Sequence, residues 1–226
     1  MSGDRADRIL DAAAELLLRL GYRKVTIDDI AQRAAIGKGT VYLHWRTKQK
    51  LFEALFLREA LAYVREINAQ LARDPSVVRP STMLARSYLA IHERPVLRAM
   101  FSGDLRRLQE HLIEATASSQ HILAMDHFYD VLRGHGLLRD DVPDLPYSIK
   151  AVHAGYYLLD AVEPASAAMD PQAKAASLAH VVRQAFEPPG EPDQKALADA
   201  AASVRAIFDE LVRPYSTSIY GESRAS

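Results

Sequence analysis

The sequence predicts an all-α fold. Apolar residues recur at helical spacing along most of the chain, no stretch alternates as a half-buried strand would, and Gly and Pro punctuate the periodic stretches. Ile9, Ala13, Leu16, Leu17 and Leu20 share one face of a first helix, which Gly21 ends in the usual C-cap position. Thr26 can N-cap a second helix with Ile30, Ala31 and Ala34 on its buried face. A break at Ala35-Ile36-Gly37 leads into a third helix through Tyr42. Thr47 caps a fourth, free of Gly and Pro from Lys48 to Ala72, and Asp74-Pro75 stops it. Further helices are expected over Ser81–Glu93, from Pro95 to Phe101, and from Gly103-Asp104 to Arg133 with a possible break near Ser118-Ser119. Others follow over Asp144–Val162, over Pro171–Phe186, and from Pro192 to just before Pro214. Residues 164–170 and 187–193 read as exposed loops.

Half of the residues are hydrophobic and a quarter are charged, an ordinary globular balance over 226 residues. There is no cysteine, which excludes disulfides, thiolate metal sites and a cysteine nucleophile. The N-terminus lacks the apolar core of a signal peptide, and no apolar run reaches membrane-spanning length. The expectation is a soluble, cytoplasmic protein with no membrane association. Charge is unevenly shared. Residues 1–50 carry ten Lys+Arg against six Asp+Glu, while the remainder carries eighteen against twenty-three. A basic N-terminal unit on an acidic body suits a chain that meets a polyanion at one end. The change in charge after residue 50 divides the chain into a basic unit over 1–50 and an acidic remainder over 51–226.

The stretch from Thr26 to Trp45 carries the most information. Two short helices joined by a tight turn can place the second in a major groove while the first crosses the backbone. Ala31 is small where the helices would touch, and Ile36 is an apolar plug in the turn. Small residues at Gly37 and Gly39 permit close approach to DNA, and the helix start favours a phosphate. Candidate DNA-binding residues are Thr26, Lys38, Gly39, Thr40, Tyr42, His44 and Lys48, able to reach base edges or phosphates. Trp45 is assigned to the core.

This stretch resembles the TetR family of transcriptional regulators. The residues that carry the likeness are Thr26, Ile30-Ala31, Ala34, Ile36, Gly39-Thr40, Tyr42, Trp45, Lys48 and Leu51-Phe52. It covers residues 5 to 56; beyond them only the length and helical character of the remainder agree. Two positions depart from the pattern. Ala35 stands where the turn commonly has Gly, and is expected to keep a right-handed conformation. Trp45 replaces an aromatic that is often Phe. The resemblance implies a helix-turn-helix DNA-binding domain over 1–50 and a helical effector-binding and dimerisation domain over 51–226.

That domain concentrates Tyr, His, Met and Phe where a packed bundle would favour Leu, Ile, Val and Ala. Tyr88, Phe101, Met125, Phe128 and His153 are the candidate effector-binding residues, suited to a hydrophobic or aromatic molecule with one or two hydrogen-bonding groups. Residues 144–162 carry apolar side chains on more than one face, so that helix and the one after Pro171 are expected to form a homodimer. His111, His121, His127 and His135 form no metal-ligand spacing, and neither a full Walker loop nor a Gly-x-Ser-x-Gly elbow occurs. No catalytic residue, cofactor or metal is expected. The sequence therefore reads as a homodimeric regulator, most readily a repressor, that leaves palindromic double-stranded operator DNA when a small-molecule effector binds. The alternative is a helical protein-interaction regulator without such an effector.

Overall fold

The computed structural model describes residues 2–99 and 119–220, and the side chains of 5–99, 127–160 and 162–220. Among the described residues every regular element is helical. In chain order these are α1 (Ser2–Leu20), α2 (Ile27–Arg33), α3 (Lys38–His44), α4 (Lys48–Arg73), a 3₁₀ turn (Pro75–Val78), α5 (Pro80–His92) and α6 (Pro95–Ala99). After residue 118 come α7 (Ser119–Gly134), α8 (Leu145–Val162), α9 (Pro164–Ala167), α10 (Pro171–Phe186) and α11 (Gln194–Tyr220). Four of these helices begin on proline, whose missing N–H is one of the donors a helix start leaves unpaired anyway. No described helix is long and apolar enough to cross a membrane.

The described chain divides into two compact units. One holds residues 2–62, 94–99 and 212–220; the other holds 63–93 and 119–211. The sequence reading put a boundary after residue 50. Packing instead divides α4 after Ala62, because Leu51, Phe52, Leu55 and Phe56 are buried in one core with Ile9, Leu10, Leu16, Ile30, Val41 and Trp45. A helix-turn-helix of two seven-residue helices has too little apolar surface to hold itself, and borrows α1 and the first half of α4. In the second unit α5 packs along α10. The buried Glu187 serves that unit twice. Its carboxylate accepts the Ser81 N–H at the start of α5 (2.6 Å) and pairs with Arg79 at 3.2 Å.

Three sequence expectations are corrected. The last helix does not stop before Pro214 but runs through it to Tyr220, where Tyr215 and Ile219 are buried in the core of the first unit. Within residues 164–170, read as loop, Pro164–Ala167 form a helical turn. The third concerns Ala35, which has φ 52° and is left-handed, not right-handed. The α2 end explains why. Ile36 N–H donates to Ala31 C=O (3.0 Å) and Ala35 N–H to Gln32 C=O (3.1 Å), the paired bonds of a Schellman motif. The same pair closes α7, with Leu137 on Leu132 and Gly136 on Arg133, and there the left-handed position is Gly136. Residues 100–118, including Phe101 and the expected helix start at Gly103-Asp104, lie outside the described residues.

The strain at Ala35 is directly testable. Ala35→Gly should stabilise the protein by about 1 kcal/mol, because a Cβ in the left-handed region costs roughly that much. Denaturant unfolding of the two proteins measures it; an equal or lower midpoint for the glycine variant contradicts the account.

Candidate nucleic-acid interface and core ligand site

The local chemistry of α2 and α3 fixes the first site. Thr26 forms a full capping box: its hydroxyl accepts the Asp29 N–H (3.1 Å) while the Asp29 carboxylate accepts the Thr26 N–H (2.9 Å). The Thr26 hydroxyl also donates to that carboxylate at 2.7 Å, and these bonds hold the Asp29 carboxyl below its ordinary value. The turn that follows drives Ile36 against the core and sets Gly37 as N-cap of α3, with no side-chain cap. Val41 is fully buried and anchors α3, and Trp45 closes it with a bond from its N–H to Val41 C=O (2.9 Å).

With Val41 inward, the opposite side of α3 faces solvent. Lys38, Gly39, Tyr42 and Leu43 are exposed there, and Arg46 follows just beyond. Thr40 is half-buried, and the half-buried His44 ring lies 5.3 Å from that of Trp45. Lys38 pairs with Asp28 at 2.8 Å, and this hydrogen bond raises its pKa. Both partners are well exposed, so the pair adds little stability and can open for another anion.

Of the seven residues named from sequence, Lys38, Gly39 and Tyr42 share the exposed side of α3. Lys48 does not join them. Its ammonium turns inward, donates to the Tyr22 carbonyl and sits 4.3 Å from the centroid of the Tyr22 ring. Burial lowers its pKa. Lys48 ties the loop after α1 to the start of α4. Leu43 is what the sequence reading missed. The signal was present in the phase of the helix, since Val41 and Trp45 take the inward side.

The second unit holds a cluster of aromatic and polar side chains. The Tyr88 hydroxyl donates to Asp160 at 3.1 Å, and the buried Lys174 pairs with the other oxygen of that carboxylate at 2.7 Å. Tyr157 and His153 are joined through the hydroxyl and Nε2 at 3.1 Å. The Tyr88 ring lies 5.3 Å from that of Tyr157 and 6.1 Å from that of His92. Tyr63 bonds Ser87, and Tyr156 bonds Ser177 at 2.9 Å. Burial pushes the Tyr88 and Tyr157 hydroxyls well up and lowers His153 to about 4. At neutral pH the cluster therefore offers uncharged donors and acceptors beside one compensated ion pair.

The structure thus brings Tyr88 and His153 together through Tyr157. Phe128 belongs to a different group, with its ring 5.2 Å from Tyr129 and stacked 6.3 Å from Phe208. Phe101 and the Met125 side chain lie outside what is described. A cleft of about 920 Å³ opens elsewhere in the unit, bordered by Gly136, Arg139, Asp141, Arg183 and Glu187, and Tyr88, Phe128 and His153 do not border it.

An all-helical protein whose N-terminal unit is a helix-turn-helix is what this fold defines. Residues 9–55 match the family model of bacterial regulatory proteins, tetR family. The chain is 41% identical over 56 residues to the uncharacterized HTH-type transcriptional regulator YhgD of Bacillus subtilis, covering 25% of this chain and 29% of that one. It is 28% identical over 130 residues to the uncharacterized HTH-type transcriptional regulator Mb2274c of Mycobacterium bovis, covering 54% and 64%. The chain therefore spans less than two thirds of the length of these relatives. Among solved structures, the transcriptional regulator FadR from Bacillus subtilis in complex with stearoyl-CoA shares the fold with a TM-score of 0.60 and 16% identity, over 77% of this chain and 96% of that one.

Two predictions follow from the side chains just described. Lys48→Ala should lower the unfolding free energy by about 1–2 kcal/mol, since it strands the Tyr22 carbonyl, whereas Lys38→Ala should change it by less than about 0.5 kcal/mol. Equal effects of the two in thermal melts would contradict the division of roles. The second concerns acid. With His153 near 4 folded and about 6.5 unfolded, the unfolded chain takes up the proton first as pH falls. The His153 contribution is complete above about 6.5 and is lost progressively down to about 4. His153→Phe should flatten this part of the stability profile, read by urea unfolding at pH 7 and pH 4.5.

Proposed function

We propose that the chain is a dimeric transcription regulator that binds operator DNA through the exposed side of α3 and releases it when a small effector occupies the cluster around Tyr88 and His153. The observation that carries this reading is the stripe of Lys38, Gly39, Tyr42 and Leu43 on the second helix of a helix-turn-helix, in the basic part of the chain. The names of the relatives, HTH-type transcriptional regulators, support it. Lys38, Tyr42 and Arg46 supply groups for phosphates or base edges, and Thr40 and His44 lie at the margin. Thr26 and Lys48 act through the geometry they hold.

The effector reading draws on the cluster's uncharged polar groups and aromatic walls, which favour a largely apolar molecule with a few hydrogen-bonding groups. FadR, bound to stearoyl-CoA, is a neighbour in fold that carries an acyl ligand. Such an effector acts only if it binds the DNA-free form more tightly.

Dimerisation is supported by the outer side of α8. Tyr147, Ala151, Gly155, Leu158 and Val162 form one exposed stripe, with Tyr147 and Val162 75% and 76% exposed. On α10 the exposed residues include Ala173, Ala176, Ser177 and Val181. Small and apolar side chains on two exposed helix faces suit the close helix packing of an isologous interface.

The decisive experiment is anisotropy titration of DNA from the chain's own upstream region, across 50–300 mM salt. The wild type should bind tightly, with affinity falling linearly on a log–log salt plot, and Lys38→Ala should weaken binding and reduce the slope by about one. Leu158→Glu should give a monomer by sedimentation and lose operator binding. A wild-type protein that binds this DNA no better than random sequence would overturn the reading.

A further inference from the structure

Resting on the operator-binding reading above, we infer that Leu43 reads the C5-methyl group of a thymine in the major groove of each half-site, and that Gly39 is the place where DNA comes close enough for it to do so. Two independent observations on α3 carry this. Leu43 is 87% exposed, the most solvent-exposed of the large hydrophobic residues described, while Val41 two positions earlier is fully buried. A single exposed leucine needs no explanation on its own. This one lies beside Tyr42, itself 42% exposed, and one helical turn from Gly39 on the same side of the helix.

Gly39 is the second observation. Gly39 is the second residue of α3, in its first turn, where alanine is still the better helix former. Nothing within the protein requires it there. Apart from its chain neighbours and the backbone of α3 itself, a Cβ at Gly39 would meet no atom within 4 Å, and its backbone is helical. The bare position leaves room for something outside the chain to approach the helix surface closely. The cations that flank the stripe, Lys38 and Arg46, make that partner a polyanion. In a duplex the apolar feature that a leucine can bury against is the thymine methyl, which only the major groove presents. A protein partner seated on this stripe is the competing occupant, and the test separates the two.

Selection from a random duplex pool with the full-length wild-type protein supplies the site, and uracil is then substituted for thymine one position at a time, which removes the methyl group and nothing else. One thymine per half-site should be sensitive, with about fourfold loss of affinity each and roughly fifteenfold when both are replaced. Leu43→Ala should bind the thymine site more weakly and no longer distinguish uracil from thymine at that position. Gly39→Ala should move stability and binding in opposite directions, raising the melting temperature while weakening operator binding by about tenfold. Enrichment of a site with no uracil-sensitive position, or a sensitivity unchanged in Leu43→Ala, overturns this inference and leaves operator binding intact. A change in oligomeric state in Leu43→Ala, with uracil neutral, assigns the stripe to a protein partner and likewise overturns it. Failure of the pool to enrich any sequence overturns the operator-binding reading and this inference with it.

Discussion

The N-terminal unit depends on one shared core. Helices α2 and α3 are each seven residues long, well below the length at which a helix persists alone in water. Their geometry comes from Ile30, Ala31, Val41 and Trp45, which are buried with Ile9 and Leu10 of α1 and with Leu51, Phe52 and Leu55 of α4. The exposed side of α3 follows from this, because the burial of Val41 and Trp45 sets the rotation of the helix. Lys48 reinforces the same core at its edge. The ammonium satisfies a loop carbonyl and rests on an aromatic face, and the Tyr22 ring in turn meets Phe52 edge-on at 5.0 Å. A cation that looks like a DNA contact in sequence is thus part of what orients the helices that make such contacts.

The second unit follows a different rule. The polar groups of the Tyr88 cluster are buried in pairs, so the constraint there is mutual satisfaction. Asp160 is held by both Tyr88 and Lys174, and the Tyr157 hydroxyl meets His153. Paired in this way they do not incur the full penalty of buried unpartnered groups, and the cluster still keeps hydrogen-bonding chemistry among aromatic rings. An apolar core of the same size would be simpler and more stable, yet it would offer a ligand nothing to recognise. The neutral state of His153 belongs to the same economy, since a protonated imidazole there would lack a described partner of opposite charge within its own pair.

What was legible in sequence was what is decided locally. The Thr26 cap, the Ala31 contact position, the Ile36 plug and the glycine after α1 each rest on residues within a turn of one another. Three features were not legible because they are decided from a distance. Ala35 is left-handed since Ile36 must reach both Ala31 C=O and the core, and that demand overrides the preference of alanine. Lys48 faces inward because Tyr22, twenty-six residues earlier, offers it a carbonyl and a ring. Of the effector candidates, Tyr88 and His153 meet through partners 69 and 4 residues away, whereas Phe128 finds Phe208. Residue type pointed to aromatic clusters in this region, but helix periodicity alone could not say which aromatics would share one.

Two helices, α4 and α11, contribute residues to both compact units, and they differ in continuity. Neither Gly nor Pro interrupts α4 between Lys48 and Arg73, so its hydrogen-bond ladder is continuous across the division at Ala62. In α11 the division falls after Leu211, and Pro214 lies three residues beyond it, where the missing N–H removes a rung of the ladder. The connection through α4 is thus an uninterrupted helix, and the one through α11 carries a proline. Tyr63 stands at the division in α4. It is the first residue of α4 beyond the division, its hydroxyl bonds Ser87 next to Tyr88, and its electrostatic influence reaches Tyr157. The Tyr63 hydroxyl thus bonds the residue that precedes Tyr88 in the chain, and the helix that carries Tyr63 begins with Lys48 and places Leu51 and Phe52 in the core that sets the rotation of α3.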